Sequence, residues 1–218
     1  MEVPVYLFTG FLEAGKTRFI QETLEDKRFN SGERTLLLVC EEGIEEYEPD
    51  QFAAPNVYMS VLESENEFNS DNLSELLKKN KCKRVVIEYN GMWMLDRLFE
   101  QMPEGWVVYQ EFMFADAATF LNYNANMRGL VVDKLKSCEL VVFNRVTDKT
   151  DIMELHKIVR GVSRRPDIAY EDIKGDVQYD DIEDPLPFDI EAPIIEIGDE
   201  NYAIWYRDLS EEMSKYQG

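Results

Sequence analysis

"VYLFTGFLEAGKTRFI", residues 5–20, passes from an apolar run through Gly10 and Gly15 into Lys16 and Thr17. Residues 10–17, "GFLEAGKT", fit the pattern G-x-x-x-x-G-K-[ST], and the match falls between a predicted strand, Val3 to Phe8, and a predicted helix, Lys16 to Leu24. That setting gives the pattern its chemistry. Glycines let the backbone curl until successive N–H groups face one anion, and the start of the helix adds partial positive charge. A lysine so placed reaches the β- and γ-phosphates of a nucleotide, and a threonine hydroxyl is a hard oxygen ligand for Mg²⁺. The phosphate site is therefore expected to comprise Gly10, Glu13, Ala14, Gly15, Lys16, Thr17 and Arg18, with the Lys16 side chain facing solvent. A chance Gly-rich turn is the bland alternative, and the strand-loop-helix setting counts against it.

Outward from this loop, β-branched and apolar runs alternate with amphipathic stretches. Further strands are predicted at Thr35 to Cys40, Arg84 to Tyr89, Trp106 to Phe112, Glu139 to Phe143 and Pro193 to Ile197, several too continuously apolar for one face to meet water. Helices are predicted at Ser70 to Lys79, Met92 to Gln101, Ala117 to Leu135 and Ile152 to Val162. Such alternation means right-handed crossovers and an α/β fold whose mostly parallel sheet is covered on both faces. One domain is expected over residues 1–200. It includes an irregular acidic excursion at 166–192, where "GDVQYDDIEDPLPFDIEAP" breaks the rhythm, and a helical tail at 201–218 follows it.

Composition limits the partners. The 218 residues carry 23 basic and 44 acidic side chains, a formal net charge of −21. A surface this negative repels phosphodiester backbones and anionic lipids, so neither nucleic acid nor membrane is an expected partner. No apolar run approaches the roughly 20 residues needed to span a bilayer. "MEVPVYLF" has neither the basic region nor the cleavage site of a signal peptide, so the cytoplasm is the expected compartment. Cys40, Cys82 and Cys138, widely spaced, read as reduced and partly buried thiols. His156, the single histidine, is expected on a helix surface, and Trp93 and Trp106 in the core or at an interface.

Hydrolysis requires more than a phosphate cradle. "VVIEYNG", residues 85–91, ends an apolar strand on Glu88, whose carboxylate can serve Mg²⁺ together with Thr17. Gly91 then offers a backbone N–H to the γ-phosphate with no Cβ in the way. Lys16 and Glu88 are the expected catalytic groups, with Glu41 and Glu42 next in line. "FNRVTDKTD", residues 143–151, sets Asn144 and Asp148 after another strand. An Asp carboxylate accepting from both the ring N–H and the exocyclic amine selects guanine over adenine. Strand-end acids and ordinary turn residues are the alternative for each of these stretches taken alone.

Together they resemble the CobW, HypB and UreG family of P-loop GTPases, and its CobW-like branch most of all. "PVYLFTGFLEAGKTRFI" looks like that branch's opening strand and P-loop, "VVIEYNG" like its Glu-x-x-Gly motif, "FADAATF" like the segment after its fourth strand, and "ELVVFNRVTD" like its base-recognition strand. The resemblance implies the three-layer P-loop NTPase fold, Mg²⁺ and GTP as cofactors with ATP the alternative, and slow hydrolysis. It further implies a metallochaperone or cofactor-assembly role toward a client protein, with a homodimer possible. It assigns Gly10, Gly15, Lys16 and Thr17 to phosphates and Mg²⁺, Glu88 and Gly91 to the metal side, Asn144 and Asp148 to the base, and Glu41 or Glu42 to a switch region.

The chain departs from the family pattern twice. Arg145 stands where the base motif has lysine, and one extra residue precedes Asp148, leaving Thr147 in the acid's place. The branch also carries a Cys-x-Cys-Cys motif between its second and third strands, where this chain has Cys40 alone, and one thiol makes no tetrahedral sulfur site. The six acids from Glu41 to Asp50 read as a solvated loop. Two other function classes stay open: a P-loop kinase or ATPase acting on a small molecule, using Arg18, Arg97 or Arg128, and a non-catalytic nucleotide-regulated scaffold.

Overall fold

The computed structural model describes residues 2–41 and 43–183. Eight strands form one sheet in the order β3-β2-β4-β1-β5-β6-β7-β8. Seven run parallel: β1 (Val3–Gly10), β2 (Thr35–Val39), β3 (Val57–Val61), β4 (Arg84–Glu88), β5 (Trp106–Asp116), β6 (Leu140–Val146) and β7 (Asp167–Asp172). The short β8 (Val177–Tyr179) pairs antiparallel with β7. Every residue of β2 and of β4 is buried, as two covered faces require of inner strands.

Alternate residues divide between the faces. Val5 and Leu7 of β1, Leu36 and Leu38 of β2, and Val85 and Ile87 of β4 pack with Leu73 of α2 (Ser70–Asn80) and Leu95 and Leu98 of α3 (Leu95–Gln101). Further along that face, Met113, Val141, Phe143 and Ile168 meet α4 (Phe120–Asn126), α5 (Arg128–Leu135) and α6 (Ile152–Arg160). On the opposite face Phe8, Leu37, Val86 and Phe114 pack against Ile20 and Leu24 of α1 (Lys16–Glu25). Helix starts follow local chemistry: the Asn69 side chain caps α2 by accepting from the Asn72 N–H at 3.0 Å, and Asp151 caps α6 by accepting from Glu154 at 3.0 Å. Each such cap contributes about 1 kcal/mol.

Several expectations need correction. The edge strand β3 carries no continuous apolar signal, because all its residues are partly or fully exposed. The stretch expected to be an irregular excursion holds β7 and β8, and β7 is buried at Ile168, Ala169 and Tyr170. The single helix expected from Ala117 to Leu135 is two, α4 and α5, divided at Met127 with φ −130° and ψ 40°. β5 runs past Phe112 to Asp116. His156 is buried inside α6, its Nδ1 2.8 Å from Asp180 Oδ2, a partner too distant in sequence to be anticipated. All three cysteines are buried free thiols, and burial pushes Cys138 up to about 12. Trp106 is in the core, and Trp93 packs edge-on to Tyr89. The expected strand at Pro193 to Ile197 and the tail at 201–218 lie outside the described residues. Among the described residues no helix is long and apolar enough to cross a membrane.

Candidate functional site

A parallel sheet brings the carboxyl ends of its strands to one edge, where ligands of such sheets bind. Here that edge gathers Gly10, Glu41, Glu88, Asp116 and Asn144. Gly10 has φ +130°, and a Cβ on it would lie 2.1 Å from the Phe114 carbonyl oxygen of the neighbouring strand. The loop then turns through Glu13, exposed and left-handed at φ 59°, and buried Ala14. It reaches Gly15, at φ 88° the left-handed residue before α1. The helix has no side-chain cap and no acid of its own in its first turn, so nothing within the helix compensates its leading N–H groups and positive end.

Lys16 is not solvent-facing but buried. Its ammonium donates to the carbonyls of Gly10 and Phe11, each at 2.9 Å, and to Glu41 Oε2 at 2.5 Å. Three acceptors of its own chain thus satisfy the lysine. The Thr17 hydroxyl donates to Glu88 Oε1 at 2.7 Å, and the Tyr47 hydroxyl donates to Glu88 Oε2 at 2.5 Å. Glu88 is 3% exposed, and burial pushes its pKa up, against the Tyr47 and Thr17 hydrogen bonds and the charge of Lys16. Burial beside Glu88 likewise raises Tyr47. Gly91 is buried, and its N–H donates to Glu41 Oε1 at 3.3 Å. A Cβ there would meet Gly10 O at 2.5 Å and Phe11 Cα at 2.8 Å, so only glycine lets this turn lie against the P-loop. Lys16, Thr17, Glu41 and Glu88 line one cavity with Gly15.

A second cavity adjoins the first and shares Gly15, Glu45 and Arg145 with it. Asn144 donates to the Ala14 carbonyl at 2.6 Å, while its Oδ1 is buried without a partner among the described residues. Arg145 takes φ 54° where the β6–β7 register shifts. Its Nη1 thereby donates to Glu13 O at 2.9 Å and to Asp116 Oδ2 at 2.6 Å. Arg18 lines this cavity too, bonded to Glu22 at 2.9 Å and 3.5 Å from Glu171, and the Glu22 bond raises its pKa.

The structure thus brings Gly15, Lys16, Thr17, Glu41, Glu88 and Gly91 together, and sets Asn144 on the P-loop. Asp148 is exposed on the turn after β6 and lines none of the cavities at this edge. Glu42 lies outside the described residues. Sequence reasoning passed over Tyr47, hidden in the acidic run "EEYEP", and the anchoring of Arg145, for which its place in the base motif was the available signal. Among the described residues no cluster of three or more His, Cys, Asp or Glu is arranged to hold a metal ion.

No protein-family model matches the chain, and no curated protein matches its sequence. Its fold is similar to the crystal structure of the hydrogenase maturation factor HypB from Archaeoglobus fulgidus, with a TM-score of 0.56 and 16% identity over 79% of this chain and 82% of that one. At that identity the likeness concerns the fold. The architecture, α/β with a mostly parallel eight-stranded sheet, is shared with that structure.

Proposed function

We propose that this protein binds a purine nucleoside triphosphate with Mg²⁺, GTP foremost, and hydrolyses it slowly as an accessory factor to a client protein. The observation that carries this reading is the meeting of Lys16, the Thr17 hydroxyl and the Glu88 carboxylate at the uncapped start of α1. The residues suit the ligand. Gly10, Gly15 and Gly91 are glycines in tight places, and Gly15 brings main chain rather than a side chain to the cavity wall. The Thr17 hydroxyl and the Glu88 carboxylate, a hard oxygen pair, would hold Mg²⁺. Bound there, Mg²⁺ would supply neutralisation of charge on the phosphates.

The chain's own residues have separate tasks in this reading. Lys16 exchanges Glu41 for a phosphate, the helix start holds phosphate oxygens, and Glu88 stays ionised beside the metal. Asn144 fixes the P-loop through Ala14 and keeps one acceptor for the base, and Arg145 lays its stem beside it. The likeness to a maturation factor supports the accessory role. No observation favours a kinase, for Arg18 is tied to acids and Arg128 to Asn124.

Calorimetric titration of the protein with Mg²⁺ and GTP, then ATP, with phosphate release followed in parallel, tests the reading. Micromolar or tighter GTP binding and slow release are expected. Absence of binding at millimolar nucleotide would overturn it.

A further inference from the structure

The side chain of Glu41 is placed oddly for a residue that opens an acidic, exposed loop. It is only 9% exposed. Its two oxygens take the Lys16 ammonium at 2.5 Å and the Gly91 N–H at 3.3 Å. These are the two donors, from different elements, that the nucleotide reading gives to a γ-phosphate. The segment carrying Glu41 is held against β4 and the turn after it, since Cys40 N–H donates to Glu88 O at 2.9 Å and the Asn90 side-chain amide donates to Cys40 O at 3.1 Å. The position of Glu41 is therefore fixed by the sheet, and its carboxylate is aimed at both donors at once.

We propose that Glu41 is a built-in competitor of the γ-phosphate, occupying that group's donors in the nucleotide-free and diphosphate states and expelled only by a triphosphate. A carboxylate and a phosphoryl group both present several acceptor oxygens and negative charge, so either can satisfy Lys16 and Gly91. Both cannot do so together. Glu13, Glu45 and Glu88 line the same cavity, so a γ-phosphate arriving while Glu41 remained would add its charge to four carboxylates against Lys16 and Arg145. A diphosphate draws on Lys16 through its β-phosphate but makes no claim on the Gly91 N–H, so Glu41 keeps that donor and stays in place. Expulsion moves the chain at its root, and residues 43–48 follow, including Tyr47 with its bond to Glu88. Glu41 thereby sets the discrimination between di- and triphosphate and couples it to the acidic loop.

This proposal rests on the nucleotide reading, and its test separates the two. Affinities of the wild type and Glu41→Gln are measured for GDP and for a non-hydrolysable GTP analogue, each with Mg²⁺. Removing the competing charge is expected to shift the preference toward triphosphate at least tenfold, about 1.4 kcal/mol. Hydrogen exchange on the wild type needs no folded variant. Residues 41–48 are expected to exchange alike in the free and diphosphate forms and differently with the triphosphate analogue. An unchanged preference in Glu41→Gln, or the same exchange change with both nucleotides, overturns the competitor while leaving the nucleotide reading intact. Failure of the wild type to bind either nucleotide overturns both.

Discussion

In the proposed nucleotide reading, Lys16, Glu41, Thr17 and Glu88 on the phosphate side of the cleft all find partners within the chain, whereas on the base side Asn144 Oδ1 is buried with none among the described residues. The difference concerns what a ligand must do on arrival. At the phosphates it replaces existing bonds, so its gain is the difference between two good arrangements. At the base it supplies a bond that is missing, and relieves a desolvated acceptor. In that reading one half of the cleft acts as a switch and the other as a socket.

The largest test strikes the switch. Lys16→Ala leaves the Glu41 carboxylate buried without its cation, and breaking a buried pair from one side costs about 3–5 kcal/mol. Nucleotide affinity is expected to fall at least a hundredfold, about 2.7 kcal/mol. Urea denaturation should show the stability loss, and Lys16→Ala/Glu41→Ala should recover much of it. A single variant as stable as the parent would break the contrast, since the pair would then be contributing nothing at rest.

Acid titration sharpens the same contrast at a slightly smaller scale. Burial raises Glu88 on the phosphate side, and it raises Glu111, level with the start of β6, from 4.5 to about 7. A carboxyl whose folded value is raised gives extra stability that is fully present below its unfolded value and lost as pH rises through the folded one. The nucleotide-free protein is therefore expected to lose stability between pH 4.5 and pH 8, on the order of 3 kcal/mol of it through Glu111. Glu111→Gln should remove that part and leave nucleotide binding unaltered. The slope that remains, if abolished by Glu88→Gln, belongs to the cleft, and persistence of the full slope in Glu111→Gln would refute the assignment.

How far the sequence carried depends on how local each signal is. The P-loop, the inner strands β1, β2, β4 and the apolar β6 announce themselves in consecutive residues, because burial on both faces leaves nothing polar to interrupt them. Edge elements do not. β3 and β8 are half or fully exposed, and the polar ends of β7 sit in an acidic stretch, so hydropathy gives them no voice. The cleft divides the same way. Lys16 and Thr17 were legible from spacing, but the bonds of Lys16 to Glu41 and of Tyr47 to Glu88 join residues far apart in sequence, and nothing local announces them. His156 and Asp180 repeat the lesson outside the cleft.

Gly91→Ala probes how tightly the switch is assembled. The added methyl meets Gly10 O and Phe11 Cα, both main chain, so the turn must withdraw from the P-loop. Overpacking of this kind costs about 1–3 kcal/mol. Triphosphate binding is expected to suffer more than diphosphate binding, because the N–H shared between Glu41 and a γ-phosphate moves away. Equal losses for both nucleotides would show that Gly91 serves packing alone.

The smallest effect belongs to Asp148, the residue expected from sequence to select guanine. It is exposed on its turn, after an inserted residue, and the cavity beside Asn144 is lined without it. A carboxylate discriminates between bases only when it is held against the base and shielded from water, since an exposed acceptor exchanges one hydrogen bond for another at little net gain. Asp148→Asn is therefore expected to change the affinities for GTP and ATP by less than about threefold, roughly 0.6 kcal/mol. Asn144→Ala, which removes both the bond to Ala14 and the orphaned acceptor, should weaken both nucleotides by clearly more. Fluorescent-nucleotide competition on the two variants measures this directly. If Asp148→Asn erases a tenfold preference for GTP, the turn folds over the base when nucleotide binds. The base side would then be a closing element like the phosphate side, and the division of the cleft into switch and socket would fail.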